Sequence, residues 1–314
     1  MKERRELLKE IRLSKQDKDK LSQLLAEARD LAFFDLVYFI QGLIEKINGN
    51  YELANGFFKK SLENNLEDID MLLDITESLI SIGRYEESVT ILLKCIELDK
   101  EKKNAYLYKF KIGYAYSQLK KYEEATIFFA KSIEDNPNYF PSYYQICISS
   151  IALKKIEICN NYLKIASKTF IGDDKVRQGL ASLYNMSGKF YYDKKEFELA
   201  IKQLDDAISL DKNPAYYTNK GLCFSKFSQY DKAFNEYNSA LSLDPKHGFA
   251  FYDRALAYKD LNKSLEAAEN LADAIKINKR FFDSALRDGF MSFLNSPKCN
   301  NADEFLSFLL SKKS

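Results

Sequence analysis

The chain has 314 residues, of which 46% are hydrophobic and 30% charged, and its 47 Lys and Arg are balanced by 46 Asp and Glu. This balance gives no net field that would attract nucleic acid or an anionic membrane, so we expect neither as a partner. With 11 Gly and 5 Pro, the composition disfavours a turn-rich β protein and favours long helices.

Residues 1–34 are predicted to form a divergent N-terminal helix pair. Leu21, Leu24, Leu25 and Ala28 recur at helical spacing and would share one face of the second helix. The first twenty residues are rich in charge and contain no apolar core of signal-peptide length. No stretch of the chain approaches 18 uninterrupted apolar residues, so we expect no membrane-spanning helix and a cytoplasmic location.

From residue 35 onward, small residues recur in three parallel series. The first contains Gly42, Thr76, Gly113, Cys147, Gly188, Gly221, Ala255 and Gly289. The second, twelve positions later, contains Ala54, Ser88, Ala125, Cys159, Ala200, Ala233 and Ala267, and the third contains Ser61, Cys95, Ser132, Ala166, Ala207, Ala240 and Ala274. Members of the second series lie 34, 37, 34, 41, 33 and 34 residues apart. Since small side chains let helix axes approach, this period predicts repeated helix pairs that cover one another by stacking.

The pattern resembles the tetratricopeptide repeat, with Tyr217, Gly221, Ala233, Tyr237 and Pro245 at landmark positions of one unit. The chain contains no Trp, and aromatic or aliphatic residues stand at the position that Trp usually holds. The resemblance implies an all-α fold, a right-handed α-solenoid of stacked antiparallel helix pairs. Seven units are predicted: 35–68, 69–105, 106–139, 140–180, 181–213, 214–247 and 248–281. Residues 282–314 are predicted to form C-terminal capping helices, with Gly289 in phase and a break at Pro297.

One irregularity interrupts the period between the fourth and fifth units. Seven extra residues lie in the segment 171–180, which reads IGDDKVRQGL. They would either lengthen the next helix by about two turns or kink the superhelix. A hinge between two halves is therefore placed near residue 174.

Motifs of catalysis or of metal and cofactor binding are missing from the sequence, so we expect a protein that is not an enzyme. The single histidine, His247, lies in a predicted exposed turn. The five cysteines form no CxxC pair, and neither a disulfide framework nor a zinc site is expected. Cys95, Cys147 and Cys159 occupy small-residue positions, where a thiol packs like a large alanine. A redox switch between Cys147 and Cys159, which should touch within one unit, is the alternative to plain packing.

Binding residues are expected on the first helix of each unit, because in this family those helices line a concave groove. The inward positions, three before and one after the first small residue, supply the predicted site: Phe39, Leu43, Phe110, Tyr114, Tyr144, Ile148 and Tyr252. Aromatic and aliphatic anchors of this kind suit an extended or helical peptide. The alternatives are aromatics scattered by composition alone, or a terminal tail or second protomer that covers them.

The resemblance thus implies a non-catalytic interaction scaffold or adaptor whose partner is a protein or peptide. A peptide-sensing regulator and an accessory subunit of an enzyme or secretion assembly are the alternatives. Members of the family that grip acidic chaperone tails use Lys and Asn at five groove positions, which here hold Asn185, Lys189, Asn219, Phe249 and Asp253. Since Asp253 would repel a carboxylate, such a clamp is not expected. Nothing in the sequence indicates the oligomeric state.

Overall fold

The computed structural model describes residues 2–290, and over that range the chain is all-helical, with seventeen α-helices and no strand. The first nine are α1 (Lys2–Leu13), α2 (Lys18–Asp30), α3 (Phe34–Ile47), α4 (Tyr51–Glu63), α5 (Ile69–Ser81), α6 (Tyr85–Leu98), α7 (Ala105–Gln118), α8 (Tyr122–Asp135) and α9 (Phe140–Ala152). The others are α10 (Ile156–Thr169), α11 (Asp174–Asp193), α12 (Phe197–Leu210), α13 (Pro214–Lys226), α14 (Tyr230–Leu243), α15 (Gly248–Asp260), α16 (Ser264–Ile277) and α17 (Arg280–Arg287).

The chain divides into two compact units, Met1–Lys154 and Lys155–Ser314. The first contains α1–α9, and the described part of the second contains α10–α17. Within each unit, consecutive helices pack on one another. The first helices of neighbouring pairs also touch: α7 contacts α9, and α13 contacts α15. This neighbour-only packing is the solenoid arrangement of paired helices that the repeat predicts.

The turns inside the helix pairs share one backbone conformation. Seven residues after each of the first seven members of the first small-residue series, the chain adopts a positive φ: Gly49, Gly83, Lys120, Lys154, Lys195, Ser228 and Asn262. A left-handed residue at this point ends a helix by redirecting the chain, and glycine is the residue that tolerates it best. Five of these seven positions hold another residue, so the sequence shows no glycine signal there.

The small residues of the first helices face large residues of the second helices. A methyl group added to Gly42 would lie 2.3 Å from the ring of Phe58, and one added to Gly221 would lie 2.7 Å from that of Tyr237. The same close approach joins Gly113 to Phe129 and Gly188 to Leu204. The predicted spacing therefore has a steric cause, because no side chain fits between each pair.

The irregular segment is helical. α11 spans 20 residues, whereas the first helices of the other repeat pairs have 13 or 14. The extra residues thus lengthen this helix, which is one of the two alternatives that the sequence left open. The predicted boundary between the fourth and fifth units, at 180/181, falls inside α11. The N-cap is Asp173, whose carboxylate accepts a hydrogen bond from the Lys175 amide, so the added turns have a defined start. The hinge near 174 stays a prediction.

Gly289 follows α17 with φ +73°, and among the described residues a methyl group added to it would meet no atom within 4 Å. A residue in this conformation ends a helix. The position sixteen residues later, where the other first-helix glycines meet a large side chain, lies outside the described residues. Residues 291–314, including Pro297 and most of the predicted C-terminal capping helices, lie outside the described residues. Between residues 2 and 290, none of the helices combines the length and apolarity that crossing a bilayer requires.

Candidate functional site

Phe110 and Tyr114 line a cavity of about 330 Å³ in the first unit. Both are half-buried and lie one turn apart on α7, the first helix of the third repeat. The remaining lining residues come from α5 and α9 and from α7 itself: Glu77, Ile80, Ser81, Lys111 and Gln145. The cavity thus opens on three successive first helices.

An aromatic cluster holds Phe110 in place. Its ring meets Tyr139 edge to face, with centroids 5.2 Å apart, and lies 5.7 Å from the ring of Phe129. Tyr139 in turn packs edge to face on Tyr106 at 5.1 Å, and burial raises the pKa of its phenol. Rings supported on two sides lose little conformational freedom when a partner covers them, which favours them as binding anchors.

One ion pair crosses the wall of the cavity. The Lys111 ammonium lies 3.0 Å from the Glu77 carboxylate, linking α7 to α5. The Glu77 side chain is more than half exposed, so it remains open to a second hydrogen-bond donor. Beside an apolar surface, this pair gives a partner's backbone both a donor and an acceptor.

Tyr144 and Ile148 are half-buried on α9, the next first helix. The Tyr144 ring lies 6.3 Å from that of Phe140. Neither residue lines the cavity itself, although Gln145 between them does. We call Phe110, Tyr114, Tyr144 and Ile148 the groove quartet.

The structure buries the other three predicted groove residues. Phe39 and Leu43 are 0% and 3% exposed and belong to the same hydrophobic cluster as Leu7 and Ile11 of α1. Tyr252 is 6% exposed, because its ring stacks on Phe281 at 5.2 Å and its hydroxyl donates to Asp288. In all three cases, a terminal helix or the segment beside it contributes to a core around the repeat. These residues are not accessible in this arrangement.

Of the five acid-clamp positions, one holds a cation, Lys189. The Asn219 amide nitrogen donates a hydrogen bond of 2.7 Å to the side-chain oxygen of Asn185, so these two positions are already bonded to each other. Phe249 is exposed and apolar. Burial raises the pKa of the Asp253 carboxyl to about 7, with a further contribution from Asp288, while Lys226 opposes the rise. A carboxylate already destabilised by burial would not accept a second one beside it.

His247 is half-buried rather than exposed, because it lies at the N-cap of α15 beside Phe249. Desolvation lowers the pKa of its imidazole, and Asp244 opposes this. Cys95, Cys147, Cys159 and Cys223 are all buried, as their small-residue positions predict for the first three. Over residues 2–290, no group of three or more His, Cys, Asp or Glu is arranged to hold a metal.

Sequence reasoning missed Ile80, Ser81, Lys111 and Gln145 as cavity residues. The inward face of a helix is wider than two positions, since residues three and four apart share it. Taking every residue on the face of Phe110 and Tyr114, with the matching faces of α5 and α9, would have found them.

Comparison with known proteins gives the following relatives. The family model described as Tetratricopeptide repeat matches residues 71–102, 107–139, 181–214 and 214–247. A TPR repeat-containing protein of Methanocaldococcus jannaschii is 28% identical over 253 residues, which are 76% of this chain and 44% of that protein. Hsp70-Hsp90 organizing protein 1 of Glycine max is 23% identical and matches 77% of this chain and 43% of its own length. This chain therefore spans less than half the length of either relative.

Among solved structures, the C-terminal part of a TPR repeat-containing protein from Cytophaga hutchinsonii aligns with a TM-score of 0.56. It is 17% identical, and the alignment covers 75% of this chain and 93% of that one. At this identity the likeness concerns the fold alone. The helix pairs described above are thus shared with a solved repeat protein.

Proposed function

Since this chain is a tetratricopeptide-repeat protein, we propose that it is a non-catalytic scaffold that binds a peptide or a partner protein on the first helices α5, α7 and α9. The anchors are the groove quartet. An extended or helical peptide would place an apolar side chain against Phe110 and Tyr114 and a second against Tyr144 and Ile148. The Lys111–Glu77 pair would hydrogen-bond the peptide between these contacts.

The half-buried pair Phe110 and Tyr114 carries this proposal. The Phe110 ring is supported by the rings of Phe129 and Tyr139. Both side chains face a cavity of about 330 Å³, a volume suited to one or two side chains of a partner. Aromatic anchors in such positions commonly contribute about 2 kcal/mol or more to an interface. An adaptor role is supported by the name of one relative, which describes an organizing protein of Hsp70 and Hsp90.

The test begins with peptides selected from a random displayed library on the full chain. Their affinities are measured by fluorescence anisotropy for the wild type and for the variant Phe110→Ala/Tyr114→Ala/Tyr144→Ala/Ile148→Ala. We expect the variant to bind at least about a hundredfold more weakly, which corresponds to roughly 2.7 kcal/mol lost over four anchors. Circular dichroism establishes that the helices persist.

A matched variant removes the same kind of surface from the second helices. Tyr51, Leu53, Leu93 and Ile127 are exposed apolar residues of α4, α6 and α8, and their replacement by Ala should leave peptide affinity unchanged. Equal loss in both quadruple variants, or no loss in the groove quartet variant, would overturn the site assignment.

A further inference from the structure

We propose that α1 occupies, within its own chain, a binding surface on α3 and α5 that accepts a basic amphipathic helix, so that a partner helix of the same chemistry binds there by displacing α1. This surface uses none of the groove quartet, so the proposal does not rest on the function proposed above.

The first half of α1 is held by α3. The Arg4 guanidinium makes a bidentate contact with the carboxylate of Asp35, with N–O distances of 3.1 and 2.5 Å. The same guanidinium lies 5.2 Å from the ring centre of Phe33, just before α3. The Asp35 side chain is 7% exposed and that of Arg4 is 35% exposed, so the carboxylate is shielded from water while the guanidinium is half-buried. Its bidentate geometry sets both the direction and the register of α1.

The end of α1 is held by α5. Arg12 contacts Asp68, which caps α5, at 2.5 Å and Asp70 at 3.1 Å. Lys15, just beyond α1, lies 2.5 Å from Asp74. Because Asp70 and Asp74 are one turn apart, they present both carboxylates on one face of α5. α1 therefore runs across the first helices of two successive repeats.

Apolar contacts fill the space between these ion pairs. Leu7 and Ile11 lie one turn apart on α1 and are 2% and 0% exposed. They belong to the same hydrophobic cluster as Phe39 and Leu43, the two residues that the repeat register places in the groove. α1 thus presents the two features of a groove-bound helix, an apolar stripe and flanking charges.

α1 is lightly attached compared with the repeat helices. Between Arg4 and Leu13, Leu7 and Ile11 are the only buried residues, whereas α3 buries seven. The contact of Arg12 with Asp70 is solvent-exposed, and such pairs stabilise little. A helix with so few buried contacts opens at lower free energy than the core beneath it.

The acidic surface beneath α1 requires that a partner helix which displaces α1 be basic. Asp35, Asp68 and Asp74 have side chains that are 16% exposed or less with α1 in place. Burial raises the pKa of Asp74, while Lys15 opposes the rise. An apolar helix without cations would leave these carboxylates unpaired, which is costly. The replacement must therefore carry two basic groups about eight residues apart, with apolar residues at two positions one turn apart between them.

The test uses a fluorescent synthetic peptide of residues 2–16 added to the full chain. In the wild type, α1 competes with it. In the variant Leu7→Ser/Ile11→Ser, α1 loses its apolar contacts, so a larger fraction of molecules has the surface uncovered. Because the apparent affinity rises with that fraction, we expect the peptide to bind at least about tenfold more tightly. Equal binding to both proteins would overturn the proposal.

Charge reversal distinguishes binding at the carboxylates of α5 from non-specific electrostatic attraction of the basic peptide to the protein. Adding Asp70→Lys/Asp74→Lys to the opened variant should abolish the gain. Adding Glu52→Lys/Glu97→Lys, which changes the net charge equally at exposed positions of α4 and α6, should preserve it. A gain that survives the first change, or that is lost equally in both, contradicts the site.

Hydrogen exchange on the wild type tests whether the peptide displaces α1 even if a variant fails to fold. A saturating concentration of the peptide should raise amide exchange in residues 4–13, because α1 is released, while α7 and α9 stay unchanged. Unchanged exchange in α1 with peptide bound would overturn displacement.

Discussion

Gly113 lies against the ring of Phe129, so closely that a methyl group at residue 113 would come within 2.8 Å of two ring carbons. The two residues are sixteen positions apart, one on each helix of a pair. The same separation joins Gly42 to Phe58 and Gly221 to Tyr237. This contact fixes how closely the two helices of a pair approach. It therefore also fixes the position of the opposite face of the first helix, which carries the groove residues.

Gly113→Ala should destabilise the protein. Alanine is the better helix former by about 1 kcal/mol, but forcing its methyl group against Phe129 costs about 1–3 kcal/mol. We expect a net loss of up to roughly 2 kcal/mol in the free energy of unfolding, measured by urea denaturation.

Gly56→Ala is the matched control for that change. Gly56 lies within α4, and a methyl group there meets nothing within 4 Å, so this variant should be more stable by about 0.5–1 kcal/mol. Destabilisation at both glycines by the same amount would show that helix-pair contact is not the reason for Gly113.

Lys120→Gly should stabilise the third repeat. Lys120 adopts φ +59° at the turn between α7 and α8, a conformation that costs an L-residue about 1 kcal/mol relative to Gly. After allowing for the greater freedom of glycine in the unfolded chain, we expect a gain of about 0.5 kcal/mol. The reverse change at the equivalent turn, Gly83→Ala, should be destabilising, and a loss of stability in Lys120→Gly would refute the turn geometry.

The helix pairs could be predicted from the sequence because their cause is local. A small residue facing a large one sixteen positions later, as Gly188 faces Leu204, recurs at a fixed period and leaves a readable signal. The start of α11 could not be chosen between two alternatives, since extra residues such as Asp173 and Asp174 suit a helix start and a bend alike.

The candidate site was only partly predictable, because the repeat register shows which way a residue points and not what covers it. Phe110 and Tyr114 remain accessible. Phe39 is buried in a cluster that includes residues of α1, and Tyr252 is buried by Phe281. Those covering segments lie outside the repeat period, so their packing leaves no periodic trace in the sequence.

Because of Asp253, the free energy of unfolding should fall as the pH rises from about 4 to about 7. Its carboxyl has a pKa of about 7 in the fold and near the ordinary 3.8 when unfolded, so over this interval the folded state binds the proton and the unfolded state does not. The stabilisation is fully present below the unfolded value and is lost as pH passes the folded one. Asp253→Asn should therefore be more stable than the wild type at pH 8.

The measurement is the difference in free energy of unfolding between Asp253→Asn and the wild type at pH 5 and pH 8. Desolvation also lowers the pKa of His247, and taking the difference between the two proteins removes its contribution because both retain it. A difference that does not grow between the two pH values would contradict the raised pKa of Asp253 in the fold.

Photocrosslinking from the groove tests the central claim most directly, namely that a peptide is bound by the first helices. Tyr114 is replaced by p-benzoylphenylalanine in one protein and Ile127, exposed on α8, in a second. With a peptide selected on the wild type, irradiation should crosslink the peptide to residue 114 and leave the protein labelled at 127 unmodified. Crosslinking from residue 127 but not from 114 would contradict the account, since it would place the peptide on the second helices.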